Sequence, residues 1–185
     1  LRRAGHILGA ATAQIDIGGR RLVFSGDLGR YDDPVMFDPE PVPEADYVVI
    51  ESTYGDRLHE RVDPVHALGA VIERTVKRGG TVVIPAFAVG RTQALLWHLW
   101  RLRQDGRLNN TPVYLDSPMA TSATELMRRW PDDHRLDPVD YEAACAAVNL
   151  VRDVEDSKAL SANPYPKVII SASGMCDAGR IKHHL

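Results

Sequence analysis

Cysteine is nearly absent: Cys145 and Cys176 are the only two and form no Cys-x-x-Cys pair, which excludes a disulfide framework and a thiolate zinc site. Any metal would have to be held by histidine and carboxylate. No apolar run reaches the roughly 20 residues that cross a bilayer. The opening Leu1-Arg2-Arg3-Ala4-Gly5-His6 lacks the apolar centre of a secretion signal, so the expectation is a soluble, cytoplasmic protein with no membrane partner. An excess of positive charge is also missing. The net charge of −3 argues against a generally basic nucleic-acid coat, although a local positive strip can still hold a phosphate backbone. There is no initiator Met, and Gly179-Arg180-Ile181-Lys182-His183-His184-Leu185 reads as the opening of a helix without a stop signal. The expectation is an excerpt of a longer protein. What is present, 44% apolar and 25% charged residues over 185 positions, is a globular balance sufficient for one medium domain or parts of two.

The first fifty residues read as strand and turn. Ala13-Gln14-Ile15-Asp16-Ile17 alternates, Gly18-Gly19 turns the chain, and Arg21-Leu22-Val23-Phe24-Ser25 returns it as a hairpin. After a proline-rich loop from Asp33 to Pro43, the apolar run Tyr47-Val48-Val49-Ile50 predicts a strand buried on both faces and ending in Glu51. From about Asp63 the pattern changes to strands alternating with helices. Asp63 and Pro64 open a helix with the apolar stripe Val65, Leu68, Val71, Ile72 and Val76, and Gly79-Gly80 ends it. Strand Thr81-Val82-Val83-Ile84, a helix from about Arg91 to Arg103, strand Pro112-Val113-Tyr114-Leu115, and a helix opened by Asp116-Ser117-Pro118-Met119 follow. Residues 130 to 138 read as loop, 141 to 148 as helix, Leu150-Val151 as a short strand, and Lys167-Val168-Ile169-Ile170-Ser171 as a buried strand. Loops 51–57, 85–91, 116–119 and 171–174 then fall at strand carboxyl ends, where open α/β sheets gather ligands, and imply a shared cleft.

Three side chains stand out chemically. His6 lies among small residues that let the backbone approach closely, though a lone histidine is more often structural. Asp27 follows a strand in a glycine-flanked turn, where a turn-forming role is the alternative. Glu51 ends an apolar strand, and a carboxylate buried there without a cation or donor costs several kcal/mol. Arg91 opens a helix behind Gly90 and could meet phosphate, or be a solvated surface arginine; Arg30 and Arg57 carry the same ambiguity. The Trp97, Trp100 and leucine stripe has the helical spacing of core rather than of a base-stacking platform. His59, His66, His98 and His134 share no ligand spacing.

Taken together, Ala4-Gly5-His6-Ile7-Leu8-Gly9-Ala10, Ser25-Gly26-Asp27-Leu28-Gly29-Arg30 and Glu51-Ser52-Thr53-Tyr54-Gly55-Asp56-Arg57 resemble the third and fourth metal-binding motifs and the acidic motif of the β-CASP branch of the metallo-β-lactamase superfamily. That branch includes the RNA 3′-end cleavage nucleases and, more distantly, ribonuclease J. Pro85-Ala86-Phe87-Ala88-Val89-Gly90-Arg91-Thr92-Gln93, Asp116-Ser117-Pro118-Met119-Ala120 and Ser171-Ala172-Ser173-Gly174-Met175 follow in family order. The resemblance spans nearly the whole chain.

The fold it implies is α/β: the C-terminal part of a metallo-β-lactamase αββα lobe over residues 1–60, then a Rossmann-like β-CASP domain over 61–185. It implies a ribonuclease that hydrolyses single-stranded RNA with two zinc ions, His6 ligating one and Asp27 bridging both. Asp27 and Glu51 would be the catalytic carboxylates, Glu51 orienting a histidine, and Arg91, Ser117 and Ser173 would contact substrate. Two divalent ions roughly 3.5–4 Å apart can hold a bridging hydroxide and neutralise a phosphodiester under in-line attack. The sequence departs from the family pattern in lacking the His-x-His-x-Asp-His segment and the later histidine motifs, and neither His183 nor His184 takes their place. These 185 residues should accordingly bind zinc weakly and be inactive alone, and the unpaired first segment should either self-associate as a homodimer or be disordered. The alternatives are a non-catalytic RNA-processing scaffold subunit and a metallo-hydrolase of a non-nucleic ester.

Overall fold

The computed structural model describes residues 1–58 and 62–185; His59 and the anticipated boundary at 60/61 lie outside the described residues. Two compact units result, Leu1–Arg61 with Trp130–Leu136, and Val62–Arg129 with Asp137–Leu185.

The first unit is a four-stranded sheet of β1 (Arg2–Arg3), β2 (Ala11–Ile17), β3 (Arg20–Phe24) and β4 (Tyr47–Val49), in that order across the sheet. The anticipated hairpin is β2–β3. Ile17 pairs with Arg20, and the intervening Gly18 and Gly19 have φ of +59° and +72°, as a two-residue hairpin turn with left-handed centres demands. β4 runs parallel to β3, but the sequence misjudged its environment. Tyr47, Val48 and Val49 are 52%, 61% and 57% exposed, because among the described residues β4 is an edge strand paired on one side only, with Arg20 reaching over the Tyr47 ring. The stretch 130–136 holds a 3-10 turn, Pro131–Asp133, and belongs with this unit. The Arg135 amide donates to Val35 O at 2.8 Å, and its guanidinium donates to Met36 O at 2.9 Å and to Asp38 at 2.6 Å.

The second unit carries α1 (Pro64–Lys77), β5 (Thr81–Pro85), α2 (Arg91–Gln104), β6 (Val113–Asp116), α3 (Pro118–Arg129), α4 (Pro138–Ala146), β7 (Asn149–Leu150), α5 (Val154–Ala162) and β8 (Lys167–Ser171). The sheet is entirely parallel, ordered β5-β8-β6-β7. Every residue of β8, at its centre, is buried. Side chains alternate across it: Val168 and Ile170, with Val113 and Leu115 of β6, join Ile72 of α1 and Leu96, Leu99 and Leu102 of α2, whereas Ile169 and Tyr114 turn to Leu160 of α5 on the opposite face. This is an α/β unit with helices on both faces of a parallel sheet.

Helix starts follow local chemistry. The Asp63 carboxylate accepts from Val65 N–H at 2.9 Å with Pro64 behind it. Asp137 and Asp153 cap α4 and α5 the same way. Helix α5 was not anticipated, because its only fully apolar inward positions are few and lie in a polar stretch. Val71 of α1, placed in the sequence stripe, is 42% exposed, while Gly69 and Thr75 are buried. A stripe read at fixed spacing drifts against the true contact line. Among the described residues no helix is long and apolar enough to cross a membrane.

Candidate functional site

In the first unit, two loops press backbone against backbone. Gly29 N–H donates to Ala4 O at 2.8 Å, and a Cβ on Gly29 would stand 1.9 Å from Gly5 O and 2.8 Å from His6 N. Only glycine permits that approach. Gly5, at φ +70°, is confined in turn, since a Cβ there would lie 2.6 Å from Phe37 O. The segment bearing His6 is thereby fixed beside the turn bearing Asp27.

Glu51 completes the group. Its Oε1 accepts from Leu28 N–H at 3.3 Å and its Oε2 from Thr53 N–H at 3.0 Å, so this carboxylate spans the Asp27 turn and its own loop. The Thr53 amide, then the Thr53 hydroxyl and the Leu28 amide, hold its pKa below the ordinary carboxylate value, and the His6 imidazole contributes from nearby. Ser25 locks the base of the arrangement: its hydroxyl accepts from Glu51 N–H at 3.0 Å and donates to Gly26 O at 2.6 Å, while its carbonyl accepts from the Thr12 hydroxyl at 3.1 Å. The sequence expectation that Glu51 needs donors is met chiefly by the Thr53 and Leu28 amides and the Thr53 hydroxyl.

His6 and Asp27 are both exposed at this site, and Glu51 is half-buried. With both Glu51 oxygens engaged, His6 and Asp27 are the donors left for a metal. Among the described residues no group of three or more histidine, cysteine, aspartate or glutamate side chains is arranged to hold an ion. A catalytic zinc takes three protein ligands, so these residues do not make such a site by themselves. Arg30 and Arg57 are engaged locally, with Asp33 at 3.1 Å and Asp56 at 2.9 Å.

The other implied contacts lie in the second unit, at the carboxyl ends of β5, β6 and β8, where Pro85, Asp116 and Ser171 stand in register. Loop 51–57 follows β4 and so belongs to the other sheet; the single sheet edge inferred for all four loops is corrected to three. Arg91 is exposed, its guanidinium 5.4 Å above the Phe87 ring centre, a cation–π arrangement. The turn before it is held by Gln93, whose side chain accepts from Gly90 N–H at 2.7 Å and donates to Ala88 O at 3.1 Å. Ser173 is half-buried and donates to Asp177 at 2.6 Å. Ser117 is 4% exposed, and its hydroxyl accepts from Ala120 N–H at 3.2 Å. It caps the start of α3. Trp97 and Trp100 stack on each other at 4.9 Å, half-buried along α2.

Sequence reading passed over one polar cluster. Asp116, wholly buried at the end of β6, accepts from Arg180 at 2.6 Å, from His184 Nε2 at 2.7 Å and from the Ser157 hydroxyl at 2.5 Å. Burial pushes its pKa up, but the hydrogen bonds from Ser157, Arg180 and His184 together prevail and hold it below the ordinary value. Half of the signal was legible: a carboxylate ending the apolar strand Val113-Tyr114-Leu115 needs partners as Glu51 does, but which residues supply them, 64 and 68 positions away, was not.

A family model described as the Beta-Casp domain matches residues 92–185. Ribonuclease TTHA0252 of Thermus thermophilus is 39% identical over 99% of this chain, which spans 44% of that protein. Transcription termination factor FttA of Methanosarcina mazei is 32% identical over 98% of the chain, spanning 30% of that protein. The cleavage and polyadenylation specificity factor 73 of Drosophila melanogaster is 31% identical over 95%, spanning 26%. The chain thus covers less than half the length of each of these relatives.

Proposed function

The chain belongs to the β-CASP family of metallo-β-lactamase-type RNA-processing nucleases, and from that premise we propose that the protein is a zinc-dependent ribonuclease that hydrolyses phosphodiester bonds of single-stranded RNA. One observation carries this reading: the Gly29–Ala4 contact and the Glu51 carboxylate hold the segments of His6 and Asp27 together with both side chains exposed. An imidazole and a carboxylate of that kind suit a divalent metal that must also meet a charged substrate. The chain's own share is positional. Glu51 aligns the Asp27 turn through Leu28 N–H, and Ser25 fixes Glu51, which supports a role for these residues in bringing the two segments together. Because two donors fall short of a zinc site, the remaining ligands would come from those parts of the relatives' length that these residues do not span.

The test is cleavage of a labelled single-stranded RNA by the full-length protein supplied with zinc. Asp27→Ala should abolish cleavage while leaving the circular-dichroism spectrum unchanged; undiminished cleavage by the folded variant would end the proposal. One rival is a non-catalytic scaffold, which would bind the RNA without cutting it under any metal condition. Cleavage of a simple carboxylic ester in place of RNA would instead point to a non-nucleic metallo-hydrolase.

A further inference from the structure

We propose that Asp116 is a positioning residue for substrate binding: acting through Arg180 and His184, it pins the loop that carries Ser173 at the carboxyl edge of the parallel sheet. The inference rests on the ribonuclease reading and specifies how one part of the RNA-binding surface is held.

The loop after β8 leaves the sheet at Ser171, doubles back and returns at Ile181. Its base is closed by backbone bonds, Ile181 N–H to Ala172 O at 3.0 Å and Ser173 N–H to Ala178 O at 3.1 Å. Gly179, at φ +79°, lies so close that a Cβ would meet Ala172 O at 2.5 Å. At its far side the loop rests on the turn after β5, since a Cβ on Gly174 would stand 3.0 Å from the Phe87 ring. The same Phe87 ring supports Arg91. Phe87, Arg91 and Ser173 therefore share one surface, at the strand ends where open α/β sheets take their ligands.

Beside the wholly buried Ile181, a polar network ties this surface to the rest of the unit and converges on one carboxylate. Arg180 spends one nitrogen on Asp116 Oδ1 and another on Arg152 O at 3.0 Å, joining the loop to the start of α5. His184 bridges Asp116 Oδ2 and the Ser161 hydroxyl, 2.9 Å from its Nδ1, joining the loop to the body of α5. The Asp116 backbone O accepts from the Ser171 hydroxyl at 2.9 Å, fixing the residue from which the loop departs. Apolar packing could fill the same volume, and buried ion pairs are often no more stabilising than well-packed apolar side chains. A planar guanidinium held between a buried carboxylate and the Val151 and Arg152 carbonyls adds direction: it sets the angle at which residues 172–179 leave the sheet.

The experiment uses full-length protein with Arg180→Lys and His184→Gln, which keep bulk and much of the polarity while breaking the guanidinium contacts and the bridge. For a single-stranded RNA oligonucleotide, KM should rise about tenfold in Arg180→Lys with kcat within about twofold, the pattern of lost substrate binding. Amides of residues 172–179 should exchange faster, with β5 and β8 unchanged. A KM equal to wild type alongside a lowered thermal midpoint in both variants would overturn the proposal and leave Asp116 a purely structural residue. Should a variant fail to fold, exchange on the wild-type protein decides: slowed exchange of 172–179 when a non-cleavable RNA is added supports the proposal, and no change refutes it. If wild-type protein neither binds nor cuts RNA, the ribonuclease reading fails instead, and accelerated exchange of 172–179 in Arg180→Lys still reports on the clamp.

Discussion

Substituting Gly29 by Ala tests how the His6 and Asp27 segments are held together. Its Cβ would arrive 1.9 Å from Gly5 O and 2.2 Å from Gly5 C, so one backbone must retreat by roughly 1.5 Å or more to reach ordinary contact. The retreat breaks the 2.8 Å bond from Gly29 N–H to Ala4 O, about 1 kcal/mol net, and adds overpacking of about 1–3 kcal/mol. Together these come to about 2–4 kcal/mol, or roughly a 30- to 1000-fold rise in local opening at about 1.4 kcal/mol per decade. Gly9→Ala is the internal comparison. Gly9 has φ +81° and nothing within 4 Å of its Cβ position, so its cost is the left-handed backbone alone, about 1–2 kcal/mol. Hydrogen exchange should therefore accelerate in peptides 4–10 and 26–30 for Gly29→Ala, and only in 4–10 for Gly9→Ala. Full-length Gly29→Ala should lose RNA cleavage with the second unit intact. Exchange within about threefold of wild type in both peptides would refute the reasoning, because the loops would then not depend on a glycine-only approach.

Acid should loosen the second unit through Asp116. Its folded pKa is depressed, so its stabilisation is complete above the ordinary aspartate value of about 3.9 and is lost as pH falls through the lower folded value. Thermal midpoints should be insensitive to this group from pH 5 to 8 and fall below about pH 4; Asp116→Asn, if folded, should flatten that acid limb. The 185-residue chain should bind zinc far more weakly than a complete site, giving little heat in calorimetry at micromolar zinc, and a tight one-to-one isotherm would contradict the ligand count. Sedimentation should show self-association through exposed Tyr47, Val48, Val49 and Ile50. Val48→Lys should shift the chain to monomer while changing stability by no more than about 0.5 kcal/mol; a wild-type monomer would dismiss the idea.

The features most legible in the sequence were those written in local chemistry. Gly18-Gly19 between two alternating runs meant a hairpin, Asp63-Pro64 meant a helix start, and Lys167–Ser171 meant a buried strand, because turn geometry, capping and apolar continuity are satisfied within a few residues. Glu51 could be recognised as a carboxylate in need of donors. Which donors it would find could not, since Leu28 N–H becomes available only when the parallel pairing of β3 and β4 brings the two loops side by side.

From its sequence alone this protein reads as an α/β chain by its hydrophobic periodicity, and its motifs resemble those of the β-CASP family. Tertiary structure decided everything that depends on what lies across the fold. It put Tyr47–Val49 at a sheet edge rather than inside, returned 130–136 to the first unit through Arg135, turned the Ser117 hydroxyl into a helix cap, and joined Asp116 to Arg180 and His184 across more than sixty positions of chain. Burial and long-range pairing are properties of two segments at once. No local pattern records the second segment, and so these facts emerge only when the chain has packed.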